Sequence, residues 1–326
     1  MARRFSEDEL IARLFAPLAG AAALGLRDDA ALLPSSKNPL VATADALVAG
    51  VHFFEDDPPG LIAKKALRVN LSDLAAKGAE PVGFLLAIAL PPDWTNDWLA
   101  AFVAGLGEDA LAYRCPLLGG DTVSTPGPLT LSITALGEAP EGRFVARTAA
   151  RAGDAVYVSG TIGDAALGLR LRRDEALARR LSAPARDHLL ERYLLPRPRL
   201  ALAPALRLHA SAAMDVSDGL VGDLAKLARA SKLGAKVALA SVPLSDAARE
   251  AIALDPSLLE VALTGGDDYE ILCCVGSGGA RFMAASGELG APCARIGELI
   301  AEDRETVFLD EHGKAKRFNR LSFSHF

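Results

Sequence analysis

Short apolar runs bounded by Gly, Pro and Asp alternate with longer stretches of helical period along the whole chain, and this alternation restricts the fold to an α/β or α+β arrangement. In the first half, residues 40–43 read as a strand and a helix begins near Pro58-Pro59. The run Phe84-Leu85-Leu86-Ala87-Ile88-Ala89-Leu90 reads as a strand that stops at Pro91-Pro92. A helix is expected from about Asn96 to Tyr113 and a strand over 129–136. The second half opens with a strand at 155–159, turns through Gly160-Thr161-Ile162-Gly163-Asp164, and enters Ala-, Leu- and Arg-rich helices that end at Leu195-Pro196-Arg197-Pro198. A strand, turn and helix over 212–230 and strands over 236–239 and 270–275 complete the pattern. Turn signals around residues 138–142 and 151–154 bracket a shift in composition. Two domains are therefore expected, residues 1–145 and 146–326, in keeping with 326 residues of which 51% are apolar.

No run approaches the ~18 apolar residues that a membrane helix needs. The segment after Arg3-Arg4 reads as an amphipathic helix rather than a signal peptide, since Ser6-Glu7-Asp8-Glu9, Arg13 and Pro17 interrupt it. A formal net charge of −6 without a long Lys/Arg run argues against a nucleic-acid or anionic-membrane surface and favours small-molecule chemistry. Cys115, Cys273, Cys274 and Cys293 have neither C-x-x-C nor metal-ligand spacing. They read as reduced core residues of a soluble, cytoplasmic protein, with the adjacent pair pointing to opposite faces of a strand.

The chemically informative feature is a series of aspartates beside Gly, Thr or Ser at strand ends and turns: Asp28, Asp29, Asp45, Asp73, Asp121, Asp215, Asp218, Asp267 and Asp268. Any one of them is explained by capping, where Asp is favoured for local hydrogen-bonding reasons. Asp73 is not, because Leu67, Leu71 and Leu74 mark one face of a helix while Asn70, Asp73 and Lys77 mark the other. Carboxylates brought within about 4 Å of each other repel by roughly 4 kcal/mol per pair at an effective dielectric near 20, so a converging set requires cations. Oxygen donors of this type suit Mg²⁺, whose shell substrate phosphates usually complete. The composition of the set thus favours phosphoryl transfer. There is no P-loop and no protein-kinase signature, which leaves Gly160 to Gly163, before a helix, as a candidate phosphate cradle or a simple tight turn.

Six segments occur in an order that resembles the thiamine-monophosphate kinase family: Gly25-Leu26-Arg27-Asp28-Asp29-Ala30, residues 43–53 from Thr43-Ala44-Asp45 to Val51-His52-Phe53, residues 70–81 from Asn70-Leu71-Ser72-Asp73 onward, Leu118-Gly119-Gly120-Asp121-Thr122, Asp215-Val216-Ser217-Asp218-Gly219-Leu220 and Gly265-Gly266-Asp267-Asp268-Tyr269-Glu270. The resemblance implies the aminoimidazole-ribonucleotide synthetase superfamily and its two-domain synthetase-like fold. An N-terminal α/β domain there carries a dimer-forming sheet, a C-terminal α/β domain completes the site, and ATP lies in the cleft. It further implies Mg²⁺ ligation by Asp28, Asp29, Thr43, Asp45, Asp73, Asp121, Asp215 and Asp218, and ATP contacts from Tyr113, Gly120, Asp121, Arg147 and Ser217. His52, Asp267 and Phe323 are implied as contacts to thiamine monophosphate, and the protein as a homodimer without nucleic-acid or membrane partners. Arg27, Ala44 and Asp267 depart from the residues usual in the family, which are Gly, a hydroxyl residue and Glu. The activity implied is transfer of the ATP γ-phosphoryl group to thiamine monophosphate, with several Mg²⁺ ions and no covalent protein nucleophile. Two alternatives stay open: another ATP-dependent synthetase of the superfamily, or a nucleotide sensor without turnover.

Overall fold

The computed structural model describes residues 4–28, 30–301 and 305–324, and the chain divides into two units, one containing residues up to 74 with 79–141, the other 75–78 with the residues from 142 onward. In the first unit, Ser6 opens α1 (Glu7–Leu10) through a capping box. The Glu9 N–H donates to Ser6 Oγ, and the Ser6 N–H donates to the Glu9 carboxylate at 2.9 Å. The expected N-terminal helix is only this one α turn. It passes into a π turn at Ile11–Phe15 and a 3₁₀ turn at Ala16–Leu18, because Pro17 has no N–H to continue the ladder.

β1 (Leu40–Val48), α2 (Pro59–Ala76), β2 (Glu80–Leu90), α3 (Asn96–Ala112), β3 (Leu117–Ser124) and β4 (Thr130–Glu138) follow. The strands order as β1-β4-β2-β3, with only β2 and β3 parallel. β3 was hidden in the sequence because its glycines read as a turn. A Cβ on Gly120 would stand 1.8 Å from the Leu86 carbonyl oxygen, so only glycine lets β3 lie this close to β2. One face of the sheet buries Leu47, Leu86, Ile88, Leu131 and Ile133, while the other exposes Ala42, Ala44, Ala46, Leu85, Ala87 and Val123. Leu67, Leu71 and Leu74 of α2 are buried as their period predicts. Its polar face is turned partly inward: Asn70 is wholly buried, and Asp73, half-buried, meets β1.

The second unit comprises β5 (Ala155–Ser159), α4 (Asp164–Arg173), α5 (Glu175–Arg180), α6 (Ala183–Leu194), α7 (Ala203–His209), β6 (Ala210–Asp215), α8 (Leu220–Ala230), β7 (Gly234–Ala238), α9 (Asp246–Leu254), α10 (Leu258–Thr264), β8 (Ile271–Val275), α11 (Gly279–Glu288), β9 (Cys293–Ile300), β10 (Thr306–Leu309) and β11 (Ala315–Lys316). They form a seven-stranded sheet of order β11-β10-β7-β9-β5-β8-β6. Every residue of β5 and β8 is buried, the continuous apolar pattern of strands covered on both faces. Cys273 packs with Tyr157 and Phe282 in one apolar cluster, whereas Cys274 packs with Val156, Val158 and Leu224 in another. The adjacent cysteines thus do point to opposite faces. β9 escaped the sequence pattern because Arg295, Gly297 and Glu298 break its apolar run. Gly297 is required there, since a Cβ would lie 2.1 Å from the Lys236 carbonyl oxygen. No helix among the described residues is long and apolar enough to cross a membrane.

Candidate functional site

In the first unit, strand alternation sets Thr43 and Asp45 on the α2 side of β1. Thr43 Oγ1 donates to Asp73 at 2.5 Å, and the Asp45 N–H donates to Asn70 Oδ1 at 3.2 Å. Asn70 Nδ2 donates in turn to the Ala66 carbonyl at 3.1 Å, which fixes its amide and so the acceptor that holds Asp45. Thr43, Asp45 and Asp73 therefore meet where a mid-strand and a mid-helix segment touch. Asp28 and Asp121 instead line a cavity of about 340 Å³ together with Gly119, Gly120 and Thr122. By ladder register Asp121 shares a row with Ala87, Ser132 and Ala46, and so faces away from the Asp45 row of Ile133, Leu86 and Gly120. The aspartates expected to converge thus form two groups in this unit, and Asp29 lies outside the described residues. Among the described residues no three His, Cys, Asp or Glu side chains converge as a metal cage. The hydroxyl and carboxylate oxygens still fit Mg²⁺, which is usually held by one or two carboxylates with waters and substrate phosphates rather than by an all-protein cage.

His52 lies in the loop after β1. Its Nδ1 accepts from the Val48 N–H at 2.9 Å, which leaves the ring proton on Nε2, and its carbonyl accepts from Lys65 Nζ at 3.0 Å. Held in this tautomer, the imidazole is built as a donor. Tyr113 caps the C-terminus of α3 with the Arg68 guanidinium 5.7 Å above its ring, and Asp109 holds that guanidinium through two hydrogen bonds of 2.5 and 2.9 Å.

The second unit gathers Ser217, Asp218, Asp267 and Phe323. The Asp267 N–H donates to the Ser217 carbonyl at 2.9 Å, and the Phe323 N–H donates to the Asp218 carbonyl at 2.9 Å. Asp215 ends β6 two residues before this turn. Glycine makes the close approach possible: a Cβ on Gly266 would lie 2.2 Å from the Ser217 carbonyl oxygen, and one on Gly222 of α8 2.4 Å from Ser322. Arg147 is not part of the gathering by its backbone. Its carbonyl accepts from Ser231 Oγ beyond the C-terminal end of α8, whereas Asp218 precedes the N-terminal end of that eleven-residue helix, about 16 Å away.

Lys226 was not among the residues that the sequence marked. Its ammonium binds Asp218 at 2.5 Å and Asp223 at 3.0 Å, and the Asp218 N–H donates to Asp223 at 2.9 Å. Burial pushes the Asp223 carboxyl up despite these partners. Burial also works against the Lys226 charge, but the hydrogen bonds and charges of Asp218 and Asp223 outweigh it and raise that group. The i, i+3 spacing of Asp223 and Lys226 was the available signal, and it reads as an ordinary surface pair until α8 is known to bury Asp223.

The Gly160 to Gly163 loop is filled from within. Asp268, wholly buried, accepts from the Gly163 N–H at 2.7 Å and the Ala165 N–H at 3.3 Å, so a side-chain carboxyl takes the place expected for phosphate at the start of α4. Burial pushes that carboxyl well above the usual range. A Cβ on Gly160 would lie 2.3 Å from Glu270 Oε1, and Glu270 is clamped by Arg192, Arg199 and Ser159.

Models of the AIR synthase related proteins match residues 27–139 with the N-terminal domain and 151–310 with the C-terminal domain. The chain is 42% identical over 327 residues to thiamine-monophosphate kinase of Caulobacter vibrioides, covering 98% of this chain and 91% of that protein. A crystal structure of thiamine-monophosphate kinase from Stenotrophomonas maltophilia is 39% identical and superposes with a TM-score of 0.84 over 96% of this chain and 98% of the other. A structure of AaThiL complexed with AMPPCP and TMP is 29% identical, with a TM-score of 0.77 over the full length of both chains.

Proposed function

The chain belongs to the AIR synthase related family and, within it, to the thiamine-monophosphate kinases, and on that membership we infer that it phosphorylates thiamine monophosphate to thiamine diphosphate with ATP. The observation that carries the reading is full-length similarity to a relative solved with an ATP analogue and TMP together. Formation of thiamine diphosphate and ADP from thiamine monophosphate and ATP is the direct test. No turnover with that pair, together with intact nucleotide binding, would leave the sensor reading in its place.

The chemistry we propose is direct in-line transfer. The acceptor phosphate is ionised at neutral pH and needs no general base, so positioning and charge neutralisation suffice. Thr43, Asp45, Asp73, Asp28 and Asp121 of the first unit and Asp215 and Asp218 of the second would hold Mg²⁺, with Asp29 as in the family motif. The metal supplies charge neutralisation at the transferring phosphoryl group. His52 supports the reading as a donor to the acceptor phosphate, because the Val48 N–H occupies its Nδ1. Tyr113, Gly120, Asp121, Arg147 and Ser217 are assigned to ATP, and Asp267 and Phe323 to the thiamine end. Enzyme incubated with γ-labelled ATP alone should acquire no covalent label, and a chemically competent phosphoenzyme would refute direct transfer. The same reading includes a homodimer formed through the exposed alanine face of the four-stranded sheet.

A further inference from the structure

The first unit holds a second, larger cavity of about 580 Å³, within the range of small-molecule sites. It lies where β1 and β2 end and β4 begins, between the N-terminal parts of α2 and α3, with Ile62, Leu90 and Leu129 among its walls. Three aromatic rings, Phe53, Trp94 and Trp98, line it, and the chain has no other tryptophan. Trp98 is stacked on Phe102 with ring centroids 5.5 Å apart, so one side of its ring is already packed in place. Among the described residues, the charged members of the lining are Glu55 and Asp93, both exposed, and no Lys, Arg or His is among them.

That combination selects a ligand class. Apolar walls and indole faces favour a flat apolar or aromatic body, and the ring quadrupole favours a cation. Two carboxylates, with no described basic residue in the lining itself, favour positive charge and disfavour phosphate. Trp94 already behaves as a cation acceptor: the Arg4 guanidinium, which is not in the lining, stands 5.2 Å from its ring centroid. We propose that this cavity binds a flat heteroaromatic cation through Trp94 and Trp98, with Glu55 and Asp93 as its counter-charges. The ligand class follows from the lining; the choice of thiamine as its probe rests on the function inferred above. Ala49 and Phe53 of the lining flank His52, so the site adjoins the loop assigned to the acceptor phosphate.

The two tryptophans make the test direct. Thiamine, an aromatic cation without phosphate, is titrated into the enzyme in the absence of ATP and Mg²⁺ while tryptophan emission is followed. A saturable change is expected, and inorganic phosphate should give none. The double variant Glu55→Gln/Asp93→Asn, at two exposed positions and checked for fold by circular dichroism, should bind thiamine about fivefold more weakly or worse. Competition identifies the source of the cation. If the thiamine signal survives saturating thiamine monophosphate, the cavity holds a separate phosphate-free ligand; if it is abolished, the cavity holds the ring end of the phosphate acceptor and the assignment of that end to Asp267 and Phe323 falls. Non-saturating quenching that matches N-acetyltryptophanamide, or equal affinity in the double variant, overturns the proposal. Because no turnover is involved, that failure is separable from failure of the kinase assay.

Discussion

Phe323 sits beside Asp218 by its backbone but leaves 42% of its surface exposed, whereas Phe318 packs edge-on against Phe308 at the core. Phe323→Ala should therefore leave the melting temperature nearly unchanged and raise the KM for thiamine monophosphate roughly tenfold through lost stacking and cation–π contact. A matched loss for ATP accompanied by a fall in melting temperature would mark the residue as structural. Glu270 presents the opposite case, since its side chain has no exposed surface and two arginines converge on it. Glu270→Gln keeps the shape but leaves Arg192 and Arg199 facing a neutral amide. It should cost about 3 kcal/mol in denaturant unfolding, the scale on which broken buried pairs act. Of these two residues, the sequence made Phe323 a candidate through the family resemblance, and Glu270 drew no attention beyond its place at the end of segment 265–270. Its partners lie 71 and 78 positions away, which no local spacing reveals.

Among the elements, α4 shows how one signature can leave two readings, a phosphate cradle or a tight turn, that only its tertiary partners separate. The glycines at 160 and 163 do adopt positive φ before a helix, yet Asp268 takes the N–H groups of Gly163 and Ala165, and the Gly160 N–H donates to the Pro292 carbonyl. Asp268→Ala should cost about 2 kcal/mol by leaving buried N–H groups without an acceptor, while the KM for ATP of the remaining folded enzyme stays put. A large rise in that KM with unchanged stability would restore the loop as a phosphate site. The junction of β1 and α2 is where chemistry is expected to be sensitive. Asp45→Asn preserves shape while removing charge, and kcat should fall by at least about a hundredfold. Near-normal kcat at saturating Mg²⁺ would remove Asp45 from the metal assignment.

For the whole molecule, two properties follow from what is covered and what is left open. The face of the four-stranded sheet that exposes Ala42, Ala44, Ala46 and Ala87 lets a second backbone approach closely. For the homodimer proposed above, Ala44→Arg at its middle should shift the protein to monomer in sedimentation or light scattering, and an unchanged mass would place any dimer contact elsewhere. The four thiols are all buried and unpaired. Burial pushes Cys115 and Cys293 up to about 12 from 9.0, so between those pH values the native state retains protons that the unfolded chain releases. Stability must then fall as pH rises above about 9, and Cys115→Ala should flatten part of that decline. Native protein should also resist iodoacetamide until denaturant is added, because the thiolate is the reactive form.

What the chain determined alone was local or ordered along it: strands such as Ala155–Ser159, the buried period of α2, the opposite facing of Cys273 and Cys274, and a motif series specific enough to indicate the family. These are legible because side-chain alternation, helical period and motif order are properties of contiguous sequence. Tertiary structure alone decided that Gly119 and Gly120 belong to a strand, that Asp45 and Asp121 face different sides of a sheet, and that Asp268 fills the glycine loop. It alone also set Lys226 against Asp218 and enclosed Trp94 and Trp98 in one cavity. Each of those depends on ladder register, on backbone approach closer than a Cβ allows, or on burial by distant elements, and none of these is encoded in the spacing of neighbouring residues.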